Sequence, residues 1–214
     1  MRGVRAACTE RPAGAQDGAP TESDCSHLTP RSYWASGEYN DGMVRAEHVI
    51  ESWKNVREDT IAAVEEFPMS EFDYRLAPAL QTFGELGRHI LVAGHGLTGM
   101  LLAGDADFAS LEFRRARMGA LTAHIPEKLE RDELVRRLRE SADERASQLS
   151  GQTPEFWAGM IKRVDGVMVT RLEMLQWVKE HELTHRQQLF TCLRVKGMVP
   201  ATTRRRLARQ AASK

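Results

Sequence analysis

From Leu175 to Leu189 the chain runs without glycine or proline, and its apolar residues return at three- and four-residue steps. That periodicity predicts one long helix. At about 100° per residue, His181 and His185 stand one turn apart on nearly the same line, so both imidazoles can reach one point in space. Met174, Val178, His181, His185, Gln188 and Cys192 share the face that should meet the core. Two unpartnered imidazoles buried there would cost free energy, and a shared metal ion removes that cost. The chain must therefore bring other elements around this helix.

Those elements read as helices. Val49, Trp53, Val56, Thr60, Val64 and Phe67 make an apolar stripe over 44–67, which Pro68 ends. A second helix is expected over 79–103, with Phe83, Leu86, Ile90, Leu97 and Leu101 on its buried side. Its five glycines weaken it, and close helix approach is the expected compensation. Residues 105–130 form a long connection with a short helical piece near 112–118. A third long helix follows over 131–149, its charges forming a solvated face. Asp165-Gly166 between two apolar runs predicts a two-residue hairpin, and Thr170 with Glu173 predicts a capping box that starts the last helix. That helix should stop at Gly197, with Pro200 beyond. The fold class expected is all-α: a four-helix bundle with a long crossover connection and a small β-hairpin before the last helix.

Residues 1–42 hold few aliphatic side chains and are expected to be a disordered extension, residues 43–200 the bundle, and residues 201–214 a basic tail. His27 beside Cys25 in the extension is read as a bystander. Thirty basic and thirty acidic residues cancel, so no global field draws the chain to nucleic acid, and the Arg204-Arg205-Arg206 run is local. No segment approaches the roughly 20 apolar residues that span a bilayer. With three cysteines lacking metal-type spacing, the expectation is a cytoplasmic protein.

The string His181-Glu182-Leu183-Thr184-His185 also spells the zinc-protease motif, in which the glutamate is the general base. That reading needs a third ligand downstream. No acidic residue follows Glu182, and Gln188 and Thr191 occupy the positions that the extended motif gives to glycine and histidine. His89, beside Ile90 at the edge of an apolar face, reads alone either as a satisfied core histidine or as a ligand. His48 and His124 read as ordinary side chains, and His95 reads either as facing solvent or as lining the same cavity as His89.

Two stretches resemble the DinB-like family of metal-binding four-helix proteins. Thr82 to Ile90 is similar to that family's Gly-Glu-Leu-x-x-His pattern, ending here on His89. Met174 to Pro200 is similar to its last-helix pattern, represented by His181, His185, Arg186, Gln187, Gln188, Leu189, Leu193, Arg194, Gly197 and Pro200. Gln187 stands where the family has glycine. The resemblance implies that His89, His181 and His185 ligate one divalent ion, Zn²⁺ or Ni²⁺, with a coordination position left open. It implies a homodimer, a small-molecule substrate and a thiol S-transferase type of activity using a low-molecular-weight thiol such as bacillithiol, mycothiol or glutathione. Metal-dependent hydrolysis, and a non-catalytic stress-associated bundle, are the alternatives. Glu182 is the candidate acid/base residue, and Arg186 and Gln188 are the candidate substrate contacts.

Overall fold

The computed structural model describes residues 45–213, so the expected extension, with His27 and Cys25, lies outside them. Four long helices carry the fold: α1 (Ala46–Glu66), α2 (Phe83–Leu102), α4 (Arg131–Ser150) and α6 (Arg171–Val195). Between them lie α3 (Leu111–Thr122), α5 (Pro154–Ala158) and a hairpin of β1 (Met160–Lys162) with β2 (Met168–Thr170). A seventh helix, α7 (Ala201–Ala212), ends the described chain. The all-α bundle with its small hairpin is the fold that the periodicity predicts.

Local chemistry sets the boundaries. Thr82 and Glu85 form a reciprocal capping box, which starts α2 at Phe83 rather than at residue 79. Thr170 and Glu173 form the expected one at the start of α6. The hairpin differs from expectation at its turn. Arg163 N donates to Val167 O, and Gly166 N donates to Arg163 O, enclosing the three residues Val164, Asp165 and Gly166. Gly166, at φ 86°, takes the left-handed position that such a loop needs. The Arg204-Arg205-Arg206 run lies on α7, where Arg204 pairs with Glu66 and Arg205 with Asp59, both on α1. Among the described residues, no helix is long and apolar enough to cross a membrane.

Among the four long helices, α1 packs against α4 and α6, and so does α2, which also packs as closely against α3. Successive helices α1 and α2 are therefore diagonal in the bundle, as are α4 and α6. One apolar cluster gathers Ile61, Val64, Phe83, Ile90, Leu134, Leu138 and Leu189. The other gathers Val49, Trp53, Leu97, Met100, Leu149, Met174 and Val178. Taken in chain order, α1 and α6 run from the second cluster to the first, and α2 and α4 run the opposite way. The parallel neighbours α2 and α4 need a long connection, which is where α3 is placed, and α5 with the hairpin carries the chain across the diagonal from α4 to α6.

A polar layer separates the two clusters. Glu182, 2% exposed, accepts from Arg57 Nε at 2.7 Å and Nη2 at 2.9 Å, and from Trp53 Nε1 at 3.0 Å. Thr60 Oγ1 lies 2.9 Å from the same carboxylate. On the other side of the layer, Arg145 Nη2 is 2.6 Å from His95 Nε2, and Ser141 Oγ is 3.0 Å from His95 Nδ1. A guanidinium only donates, so Nε2 accepts and the imidazole proton sits on Nδ1. Burial, then the neighbouring Arg145 charge, holds His95 down to about 4.

The glycines of α2 do admit close neighbours. A Cβ at Gly94 would stand 2.5 Å from Arg57 Nη2, and one at Gly87 would stand 2.8 Å from a Leu134 methyl. Arg57 is pinned by its carboxylate and cannot swing away cheaply.

Three outcomes follow from this layer. Glu182→Ala strands a buried guanidinium and should cost about 3–5 kcal/mol in urea unfolding, whereas Arg57→Met combined with Glu182→Leu should recover most of it. A double-variant loss equal to the sum of the two single-variant losses would mean that the two residues are not coupled. Gly94→Ala should destabilise the parent by about 1–3 kcal/mol yet stabilise the Arg57→Met variant, where the methyl has room. For His95, the unfolded imidazole takes up a proton near 6.5 and the folded one only near 4. Its contribution is thus complete above pH 6.5 and is lost as pH falls from 6.5 towards 4, by about 3 kcal/mol. His95→Gln should flatten the stability slope across that window in equilibrium unfolding.

Candidate metal centre

The seam between α2 and α6 brings three histidines together. His89 sits on α2, two turns into the helix that the Thr82 cap starts, and His181 and His185 sit one turn apart on α6. His89 Nε2 is 3.4 Å from His181 Nε2, and His185 Nε2 is 3.1 Å from it. The His89 and His185 rings meet edge to face at 4.6 Å. All three are half-buried, with one ligand nitrogen each within 4.8 Å of the others. Nitrogens about 2.0–2.1 Å from one tetrahedral ion stand about 3.3–3.4 Å apart, so the spacing fits a shared divalent ion.

The protonation chemistry fits as well. Burial, then the His185 and His89 neighbours, lowers His181 to about 4, and burial followed by His185 lowers His89. Both stay neutral at pH 7, as metal ligation requires. His185 Nδ1 lies 3.1 Å from Gln188 Oε1. The amide oxygen accepts, so the proton is on Nδ1 and the Nε2 lone pair turns towards the other two rings. Trp177, 5.7 Å from the His181 ring, covers one side.

The other sequence candidates face elsewhere. Glu182 is sealed in the polar layer with its oxygens committed to Arg57, Trp53 and Thr60. Arg186 donates to Asp59 Oδ2 at 2.9 Å and lies over the Phe190 ring, on the α1 side of α6. Gln188 touches the site through His185. His124 stacks edge-on with His95, and His48 pairs with Arg45, both away from the triad. Trp53, Arg57 and Thr60 were not singled out by the sequence as partners of the motif. The one signal was Arg57, a charge one residue past Val56 and four past Trp53, inside a stripe that is otherwise apolar.

Known proteins share this architecture. YjoA, a DinB-like protein from Bacillus subtilis, superposes with a TM-score of 0.54 at 20% identity, covering 71% of this chain and 93% of that one. YfiT from Bacillus subtilis, described as a probable metal-dependent hydrolase with an unusual four-helix bundle topology, gives 0.57 at 14% identity, with 74% and 92% covered. A mycothiol-dependent maleylpyruvate isomerase gives 0.52 at 16% identity, with 68% and 61% covered. These likenesses establish a common fold. No curated protein matches the chain significantly. The DinB family model matches residues 40–213, which take in every helix from α1 to α7 and all three histidines, and the chain belongs to that family.

Proposed function

We propose that this chain is a divalent-metal-dependent enzyme of the thiol S-transferase type, with His89, His181 and His185 as the protein ligands of Zn²⁺ or Ni²⁺. The observation that carries the reading is the convergence of three imidazoles from two helices, with no fourth protein ligand among the described residues. Such a set leaves a coordination position for a small molecule. When bound there, a divalent ion supplies a charge that lowers the pKa of a thiol or water.

What the chain's own residues do favours the thiol over water. Hydrolysis of the HExxH kind relies on the motif glutamate as general base, and Glu182 is buried and fully hydrogen-bonded on the opposite seam. A thiol needs no such base once its proton is acidified, and thiolates are strong nucleophiles near neutral pH. The reaction forms a carbon–sulfur bond, expels the electrophile's leaving group with its electron pair, and releases the thiol proton to solvent. Gln188 fixes the His185 tautomer, and Trp177 excludes water beside His181. That one similarly folded protein is mycothiol-dependent and another a probable metal-dependent hydrolase supports both the thiol and the ion.

The test measures bound metal and thiol consumption together. Wild-type protein should hold about one equivalent of divalent metal and join bacillithiol, mycothiol or glutathione to chlorodinitrobenzene with release of chloride. His89→Ala, His181→Ala and His185→Ala should each lose the metal, and Gln188→Ala should weaken it by about 10–100-fold. Full metal retention in all three histidine variants would overturn the ligand assignment. Cleavage of esters or amides by metal-loaded protein that consumes no thiol would make it a hydrolase instead.

A further inference from the structure

Beside His185 the surface opens into a cleft of about 250 Å³ between the residues that lead into α2 and the C-terminal half of α6. Leu76, Ala79, Leu80, Phe83 and Leu86 form its wall, and Cys192 lies at its α6 side. No Asp, Glu, Lys or Arg lines it. The larger cleft, of about 410 Å³, is the opposite in character, being lined by Asp73, Glu85, Arg88, Glu127, Lys128 and Glu130, and none of the three histidines borders it.

From this contrast we infer that the cleft beside His185 seats the apolar body, an aryl or short alkyl group, of the small molecule whose donor atom meets the three imidazoles. The inference rests on the metal-site reading above and specifies its substrate class. Leu80 is 51% exposed and Leu76 is 37% exposed, so two large aliphatic side chains stand in water until something covers them. Their position is not that of a scattered surface leucine, because buried Phe83 and Leu86 continue the same wall down to His185. A cavity of about 150 Å³ lined by aliphatic side chains suffices for benzene, so this one accommodates a substituted ring or a chain of several carbons. The charged or polyhydroxylated part of a thiol such as glutathione or mycothiol would lose its hydration there and gain few partners, so it stays outside the cleft, which takes only the hydrocarbon part of the reactant. Burial pushes the Cys192 thiol above its ordinary range, so it serves the wall as an apolar group and not as a nucleophile.

The experiment has two independent readouts. In cobalt-substituted protein, the visible absorption bands are titrated with straight-chain thiols from ethanethiol to hexanethiol and with benzyl mercaptan. The dissociation constant should fall about 3–4-fold for each added methylene until the cleft is full. Leu80→Asp, on an exposed stretch where folding tolerates it, and Ala79→Trp, which fills the space, should flatten the series while cobalt content stays as in the parent. In metal-free protein, toluene should shift the ¹³C-methyl resonances of Leu76, Leu80 and Leu86. Cobalt and thiol binding with no dependence on chain length, or no methyl shift with toluene, overturns the cleft while leaving the metal site standing. Methyl shifts in a protein that takes up no cobalt would sustain the cleft and overturn the ion.

Discussion

The bidentate pair between Arg57 and Glu182 fixes how α6 sits in the bundle. It joins α1 to α6 at mid-height, and Trp53 and Thr60 complete the carboxylate's hydrogen bonds. Taking both charges out of water is expensive, and their mutual attraction offsets that cost only while the geometry holds. The pair therefore penalises any roll or slip of α6 against α1. Because neighbouring residues on a helix are about 100° apart, holding Glu182 against α1 turns His181 and His185 towards α2. Gly94 extends the constraint to a third helix, since the space that its side chain would occupy belongs to the Arg57 guanidinium.

The same level of the bundle is polar on its other side, where Arg145, His95 and Ser141 hold one another between α2 and α4. Two apolar clusters above and below supply the bulk of the burial. The layer between them supplies register: a helix displaced by one turn would place a guanidinium or a carboxylate among leucines. The diagonal arrangement of successive helices makes that register matter, because no short loop ties α2 to α6. Their alignment, on which the 3.4 Å approach of His89 to His181 depends, is set by side chains at mid-bundle.

Much of this was legible in the sequence where the signal is local. The capping box at Thr170, the stop at Gly197 and the stripe of α1 depend on residues within a few positions of one another, and they fold as their spacing predicts. Thr82 carried the same capping signal as Thr170, and α2 begins there rather than within the Ala77-Pro78-Ala79 stretch before it. The hairpin was legible as a hairpin, but its turn was not: Asp165-Gly166 suits both a two-residue loop and the end of a three-residue one, and the register of Lys162 with Met168 decides. The helix α7 was obscured by its arginines, whose partners Glu66 and Asp59 lie more than a hundred residues earlier. His89 had the same difficulty. A single histidine on an apolar edge has no spacing to read, and only its likeness to a family pattern, and then the α2/α6 seam, gave it company.

The five residues from His181 to His185 show how little a motif string decides by itself. Spacing of four guarantees that two imidazoles share a helix edge, whatever surrounds the helix. It does not say on which side the intervening glutamate will find itself. In a site that uses that glutamate as a base, the helix is rolled so that the carboxylate borders the ion's open side. Here the roll is the opposite, because α1 offers a guanidinium, an indole N–H and a hydroxyl at the right height. Beside His185, on the side away from α1, stand Leu76, Ala79, Leu80, Phe83 and Leu86 instead of a carboxylate. One rotation of α6 thus removes an acid/base group from the site and leaves His185 beside an apolar cleft. The proposed thiol chemistry draws on that rotation, since it leaves the motif no carboxylate to act as a base beside the imidazoles.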